Sequence, residues 1–218
     1  MELTPIAHME CALESKFGAP RQSGLAEALT GRVVFERAYR VREALRGIEG
    51  FSHLWLIWEF SASPRGDWSP TVRPPRLGGN VRMGVFATRS PCRPNPLGLS
   101  CVRLLKVTDA LELLVAGADL INGTPIYDIK PYVPYADARP EATGGFAPAP
   151  PKSLDVDFPP ALLEKLPPET REAAVQLLAL DPRPRYQDDP ERVYGASFAG
   201  HDLRFRVEGH RVIVLDVK

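Results

Sequence analysis

The chain is poor in several features that would fix its class at once. It has three cysteines, Cys11, Cys92 and Cys101, and no CxxC pair. An odd, dispersed set argues against a disulfide framework and against a cysteine zinc site. It predicts reduced thiols in a cytoplasmic protein without a metal centre. No apolar run approaches the roughly 20 residues that a membrane-spanning helix needs. Met1-Glu2-Leu3-Thr4-Pro5 lacks the basic and apolar regions of a signal peptide. Net charge is absent as well: 27 Lys and Arg stand against 27 Asp and Glu, so the molecule as a whole is not a polycation. There is no glycine-rich loop that follows a first strand and opens a helix, and the nearest match, Gly78-Gly79-Asn80, opens none. A doubly wound nucleotide-binding sheet is therefore not expected.

What the chain does have is concentrated between residues 73 and 101. Five arginines (Arg73, Arg76, Arg82, Arg89, Arg93) stand there with no acid, among five prolines and four glycines. A core strand tolerates neither that many prolines nor that many uncompensated charges. A disordered linker would not carry Met83, Val85 and Phe86. The pattern predicts a short strand framed by rigid, arginine-bearing loops, the usual place for binding groups. From Arg65 to Lys106 eight Lys/Arg face one acid, Asp67. Such a bias suits a phosphate-bearing partner, and equally a solvated basic face.

Before this stretch, Pro5–Met9 and Val33-Val34-Phe35 suit strands. Val41, Ala44, Leu45 and Ile48 follow helical spacing, which predicts a helix over Tyr39–Gly47. Leu54-Trp55-Leu56-Ile57-Trp58 reads as a central strand covered on both faces. After it, Leu99–Val107 and Leu111–Ala116 suit a hairpin, and Ala118–Ile121 and Pro125–Ile129 suit strands around an Asn122-Gly123 turn. Many short strands at close spacing predict a mainly β fold with a barrel in residues 1–137. Residues 138–160, rich in proline, read as a semi-rigid linker. Residues 161–218 read as a small α+β C-terminal domain. Its helix, Glu169–Leu180, turns Ala173, Ala174, Leu177 and Leu178 inward, and a hairpin follows around Glu208-Gly209-His210-Arg211.

Pro20-Arg21-Gln22, Phe51-Ser52-His53-Leu54-Trp55, Arg73-Pro74-Pro75-Arg76, Gly84-Val85-Phe86-Ala87-Thr88-Arg89-Ser90, Arg93-Pro94-Asn95-Pro96-Leu97-Gly98, Asp119-Leu120-Ile121-Asn122-Gly123-Thr124-Pro125 and Asp128-Ile129-Lys130-Pro131-Tyr132 occur in this order. In these motifs the chain resembles the TrmO-like (TsaA-like) family. The resemblance covers most of the chain and is densest between residues 51 and 135. It implies a β-barrel enzyme that uses S-adenosylmethionine to methylate N6 of N6-threonylcarbamoyladenosine beside the anticodon of tRNA. It also implies a homodimer. The donor itself is implied by the resemblance alone.

Carried over by motif, the donor site would include Arg21, Gln22, His53, Leu54, Arg89, Leu99, Asp119, Leu120, Ile121 and Asn122. Arg21 or Arg89 can hold a carboxylate through charge-assisted bonds, though either could instead make a surface ion pair of little consequence. Asp119 and Asn122 could serve only as turn caps. Arg76 would be a substrate contact, and Arg93, Asn95 and Lys130 substrate or structural contacts, with the neighbouring prolines fixing the directions of Arg93 and Asn95. Asp128 is the candidate base for the poorly nucleophilic urea-like nitrogen, unless it pairs with Lys130 or Arg93. Two other readings stay open: a non-catalytic RNA-binding protein using the same basic loops, and a methyltransferase with a different acceptor. The arginine- and proline-bearing segment Asp181–Tyr186 is expected near the RNA or near a partner subunit.

Overall fold

A computed structural model describes residues 2–63, 68–183 and 189–218. Pro184, Arg185 and Tyr186 of the expected contact segment, and Arg65 and Asp67 of the basic stretch, lie outside the described residues. Six antiparallel strands close into a barrel: β1 (Ala7–Cys11), β2 (Thr30–Phe35), β3 (His53–Glu59), and, further along the chain, Leu97–Val107, Leu113–Ala116 and Pro125–Pro131. Between β3 and Leu97–Val107 lie two two-residue strands, β4 (Thr71–Val72) and β5 (Met83–Gly84), paired as a ribbon. The later barrel strands are thus β6 (Leu97–Val107), β7 (Leu113–Ala116) and β8 (Pro125–Pro131). The order around the barrel is β1-β2-β7-β6-β3-β8, and Ala7 opposite Ile126 closes the ring.

Period-2 alternation decides what faces inward. Leu54, Leu56 and Trp58 of β3 fill the barrel with Ala7, Met9, Val33, Val102, Leu113, Val115 and Ile126. Full burial of each large side chain contributes about 1.5–3 kcal/mol. Gly98 is required by this packing: a Cβ there would lie 2.3 Å from the Trp58 ring, closer than any non-bonded carbon contact allows.

The C-terminal part is a four-stranded sheet, order β10-β11-β12-β9, built from β9 (Asp155–Asp157), β10 (Tyr194–Phe198), β11 (His201–Glu208) and β12 (Arg211–Val217). Helix α3 (Arg171–Ala179) packs on it through Ala173, Ala174, Leu177 and Leu178, as its spacing predicts. Two single-turn helices, α1 (Pro134–Asp137) and α2 (Pro160–Leu163), precede it. The proline-rich stretch 138–160 contributes β9, which runs parallel to β12. The two halves share a core: Leu13, Ala26 and Leu29, from the loop between β1 and β2, are at most 2% exposed among the residues of the C-terminal sheet and helix. Leu13 bridges Phe198, the Ala199 N–H donates to Ala12 O at 2.9 Å, and the Ala28 N–H donates to Gln176 Oε1 at 2.8 Å.

Several elements differ from the sequence pattern. Residues 39–50 form two 3₁₀ turns, Arg42–Leu45 and Ile48–Gly50, and only Leu45 is buried. The apolar spacing had one true anchor, and Gly47 in the left-handed region breaks the run. β3 is not covered on both faces; the outward residues Trp55 and Ile57 are half-buried because a closed barrel offers one interior. Ala118–Ile121 is not a strand: Ile121 O accepts the Thr124 N–H at 3.2 Å and Leu120 O accepts the Cys11 thiol at 3.4 Å, as in a loop. β10 gave no clear signal, since its burial alternates through the small residue Ala196.

Candidate active site

Three pieces meet at one edge of the barrel: the outer face of β6-β3-β8, the loop of residues 18–24, and the arginine stretch. Register fixes the outer face. Trp55 lies between Lys130 and Cys101, Ile57 lies between Asp128 and Leu99, and His53 lies opposite Arg103. A bulge between Ile57 and Trp58 resets β8, so that Asp128 and Lys130 share the outward side with Trp55 and Ile57. Neighbouring strands stand about 4.8 Å apart, so Asp128 and Leu99 flank Ile57 on one continuous surface. Leu99 is 55% exposed there.

Above Leu99 and Cys101 sits the 18–24 loop. The Cys101 N–H donates to Ser23 Oγ at 3.1 Å, and the Gly24 N–H donates to Gly117 O at 2.8 Å. An Arg89 guanidinium N–H donates to Gln22 Oε1. Gln22 Nε2 in turn donates to Arg21 O at 2.5 Å, and Arg21 reaches Arg183 O at 3.4 Å. Beneath them lies a buried polar relay. Trp58 Nε1–H donates to Ser100 Oγ at 2.8 Å, and the Ser100 hydroxyl donates to Asp119 Oδ1 at 2.5 Å. Burial raises the Asp119 pKa, against the lowering effects of the Ser100 hydrogen bond, its own backbone, the Arg89 charge and the Ser23 backbone. The Cys101 thiol is also pushed up, first by burial and then by the Asp137 charge.

On the β3-β8 side, Asp128 Oδ2 pairs with Lys130 Nζ at 2.9 Å and its Oδ1 accepts the Ile129 N–H. Of the two partners left open by the sequence, it takes Lys130. His53 Nδ1 is 2.9 Å from Ser52 Oγ, and its ring meets Tyr132 edge-on at 6.2 Å. Trp55 Nε1–H donates to Asp137 Oδ2 at 3.2 Å, as the Val133 N–H does at 2.8 Å.

The structure therefore brings Gln22, Arg89, Leu99 and Asp119 together, with Arg21 adjoining and with His53, Asp128 and Lys130 on the same face. Other expected residues sit elsewhere. Leu54 and Leu120 point into the barrel, 0% and 1% exposed, which leaves only their backbone to a ligand. Ile121 packs on the C-terminal core. Asn122 faces the seam between the halves: its Oδ1 accepts the Cys11 N–H at 3.2 Å and its N–H donates to Leu13 O at 2.7 Å. Arg93 braces the loop through Val85 O and Thr88 O, at 3.4 and 3.1 Å. Arg76 reaches Ala149 O, and the Asn95 side chain is exposed. Ser23, Ser100 and Trp58 were missed. Ser100 carried a signal: it is a hydroxyl on the inward side of a strand that faces a buried indole, and a buried indole N–H needs an acceptor.

This set fits a ligand that carries a carboxylate, hydroxyls and an apolar ring. Arg89 offers a guanidinium for the first, Asp119 an acceptor for the second, and Leu99 with Ile57 an apolar wall for the third. Among the described residues, no helix is long and apolar enough to cross a membrane.

The N-terminal domain model of tRNA-methyltransferase O matches residues 8–138, and the TrmO C-terminal domain model matches residues 151–218. A tRNA (adenine(37)-N6)-methyltransferase of Escherichia coli (strain K12) is 42% identical over 217 residues, covering 93% of this chain and 92% of the relative. A protein of Pseudomonas aeruginosa named as a putative S-adenosylmethionine-dependent methyltransferase is 41% identical over 224 residues, covering 99% and 96%. The crystal structure of TrmO from Pseudomonas aeruginosa superposes with a TM-score of 0.82 at 34% identity, over 100% of this chain and 98% of the other. With both domain models matched and the whole fold shared, the chain belongs to the tRNA-methyltransferase O family.

Proposed function

We propose that this protein is an S-adenosylmethionine-dependent methyltransferase that modifies N6 of adenosine 37 in tRNA, in its N6-threonylcarbamoyl form. The observation that carries this reading is the convergence of Arg89, Gln22 and Asp119 beside the open outer face of β6-β3-β8. It occurs in a chain that resembles tRNA (adenine(37)-N6)-methyltransferases along nearly all its length. When bound, the donor supplies an electrophilic methyl group on a sulfonium.

The protein's own groups do the rest. Arg89, held by Gln22 and assisted by Arg21, takes a carboxylate through charge-assisted hydrogen bonds. Asp119, oriented by Ser100, accepts hydrogen bonds from hydroxyls. Leu99 and Ile57 cover the apolar ring, and His53 closes the face beside Tyr132. The backbone of Leu54 and of Leu120–Asn122 frames this set. Lys130, Asn95, Arg93 and Arg76 contact the RNA or fix the loops that do. Asp128, paired with Lys130, takes up the proton that the acceptor nitrogen sheds. Positioning of this kind accounts for several kcal/mol of a transfer barrier. The half-open sheet face is the surface a second subunit would cover, so the working unit is a homodimer in the cytoplasm.

Purified protein, labelled donor and tRNA with or without the threonylcarbamoyl group test the reading. Label should enter the modified tRNA alone. Donor binding with no transfer to either tRNA would overturn it.

A further inference from the structure

The arginine stretch holds two aromatic side chains that the donor site does not use. Phe86 is 76% exposed and Trp68 is 48% exposed, and their rings lie nearly parallel, 21° apart, with centroids 6.4 Å apart. Exposed aromatics of this size normally fold inward, since each buries 150–250 Å² when it can. Here the backbone holds them out. Phe86 follows Val85, which is 1% exposed and anchors a 3₁₀ turn. The Val85 N–H donates to Pro70 O at 3.0 Å, and Thr88 Oγ1 closes the turn on Val85 O at 2.8 Å. On the other side the Ser69 N–H donates to Cys92 O at 3.3 Å, and the β4–β5 ribbon ties the two segments together. These bonds present the pair to solvent as one apolar plate.

The charge around the plate selects its occupant. No acid occurs between Trp68 and Thr108, while Arg73 and Arg82, outside the donor site, are exposed in that interval. Neither makes an ion pair among the described residues. Flat aromatic faces set among uncompensated arginines match one ligand chemistry in particular: unstacked bases of a single-stranded RNA segment, whose phosphates meet the arginines.

We infer that Trp68 and Phe86 form a stacking platform for a splayed base of the RNA loop that presents the acceptor nucleotide. This rests on the tRNA reading above and adds to it the surface that holds the loop open. The platform is a positioning element, since neither ring contributes a group to the transfer.

The test uses the full chain and an anticodon stem-loop RNA carrying a fluorescent adenine analogue in its loop. Phe86→Ala and Trp68→Ala should each raise the RNA Kd about tenfold or more, as loss of one base–aromatic stack does. Both should reduce the quenching of the analogue, and Phe86→Trp should restore it. Donor affinity by calorimetry and the circular dichroism spectrum should not change, because Phe86 supports no core. RNA affinity unaffected by both alanine variants would overturn the platform while leaving the methyltransferase reading intact. Conversion of the variants to a smaller oligomer in sedimentation would overturn it in favour of a contact between copies. Failure of the wild-type chain to bind or methylate tRNA would instead remove the functional reading on which the platform rests.

Discussion

Ser100→Ala probes the relay under the donor site. Ser100 is fully buried and connects two groups that have few other options: it accepts from the Trp58 indole at 2.8 Å and donates to Asp119 at 2.5 Å. Alanine strands the indole N–H in the core, at about 1–3 kcal/mol. It also removes a hydrogen bond to a carboxylate, about 1.5–3 kcal/mol. Both pass through one oxygen, so they do not simply add, and a total near 2–4 kcal/mol is expected. For a chain of this size each kcal/mol moves Tm by about 2–4 °C, so the melting point should fall by roughly 5–15 °C. The loss should depend on pH. The folded-state pKa of Asp119 is already raised from its ordinary 3.8 by burial, and Ser100 lowers it. A raised carboxyl contributes stability that is full below its ordinary value and is lost as pH rises through the folded value. Removal of Ser100 pushes that value higher, so the deficit should be smallest near the acid end, where the stranded indole alone remains, and grow across the window above 3.8. Paired thermal melts of wild type and variant across a pH series measure this. A Tm change under about 2 °C at neutral pH, or a deficit that does not vary with pH, would refute the relay.

Arg89→Ala should weaken donor binding about tenfold or more, from loss of a charge-assisted bond, with folding intact; unchanged affinity in calorimetry would remove Arg89 from the site. A chain ending at Ala147 would expose Leu13, Ala26 and Leu29, now at most 2% exposed. It should lose cooperative melting and donor affinity together, and a sharp transition with donor binding preserved would show that the shared core is dispensable. RNA affinity should fall with salt at a log–log slope of roughly −3 to −4, as about four phosphate contacts require. A slope near zero in filter binding would exclude the arginine stretch as the RNA surface.

The barrel was legible because its strands announce themselves locally: the β-branched and aromatic run Val33-Val34-Phe35, the apolar run Leu54–Trp58 and the hairpin after Leu99 are short segments that a closed sheet pairs directly. Helix α3 was legible for the same reason at the other period. Residues 39–50 were misread as helix because two of four apolar positions at helical spacing, Val41 and Ala44, stay exposed, and spacing cannot tell an anchor from a surface residue. The shared core was illegible: Leu13, Ala26 and Leu29 sit in a loop without periodicity, and their partners are more than 100 residues away. Within the site, Arg89, Gln22 and Asp119 were reachable through motif resemblance. That Asp119 rests on Ser100 and Trp58 required the β3–β6 register, which places Gly98 against Trp58 and Ser100 one step along the inner face. The opposite problem holds for Leu54 and Leu120, whose motif neighbours face the site while their own side chains fill the barrel.

The methylated atom defines the reaction. tRNA that carries the threonylcarbamoyl group but not the N6-methyl, incubated with the protein and isotopically labelled S-adenosylmethionine, digested to nucleosides and fragmented in a mass spectrometer, identifies that atom. One labelled methyl is expected on N6 of N6-threonylcarbamoyladenosine, mapped by nuclease fragments to position 37 and absent without the protein. Label on another nucleoside, on the threonyl moiety, or on none would contradict it.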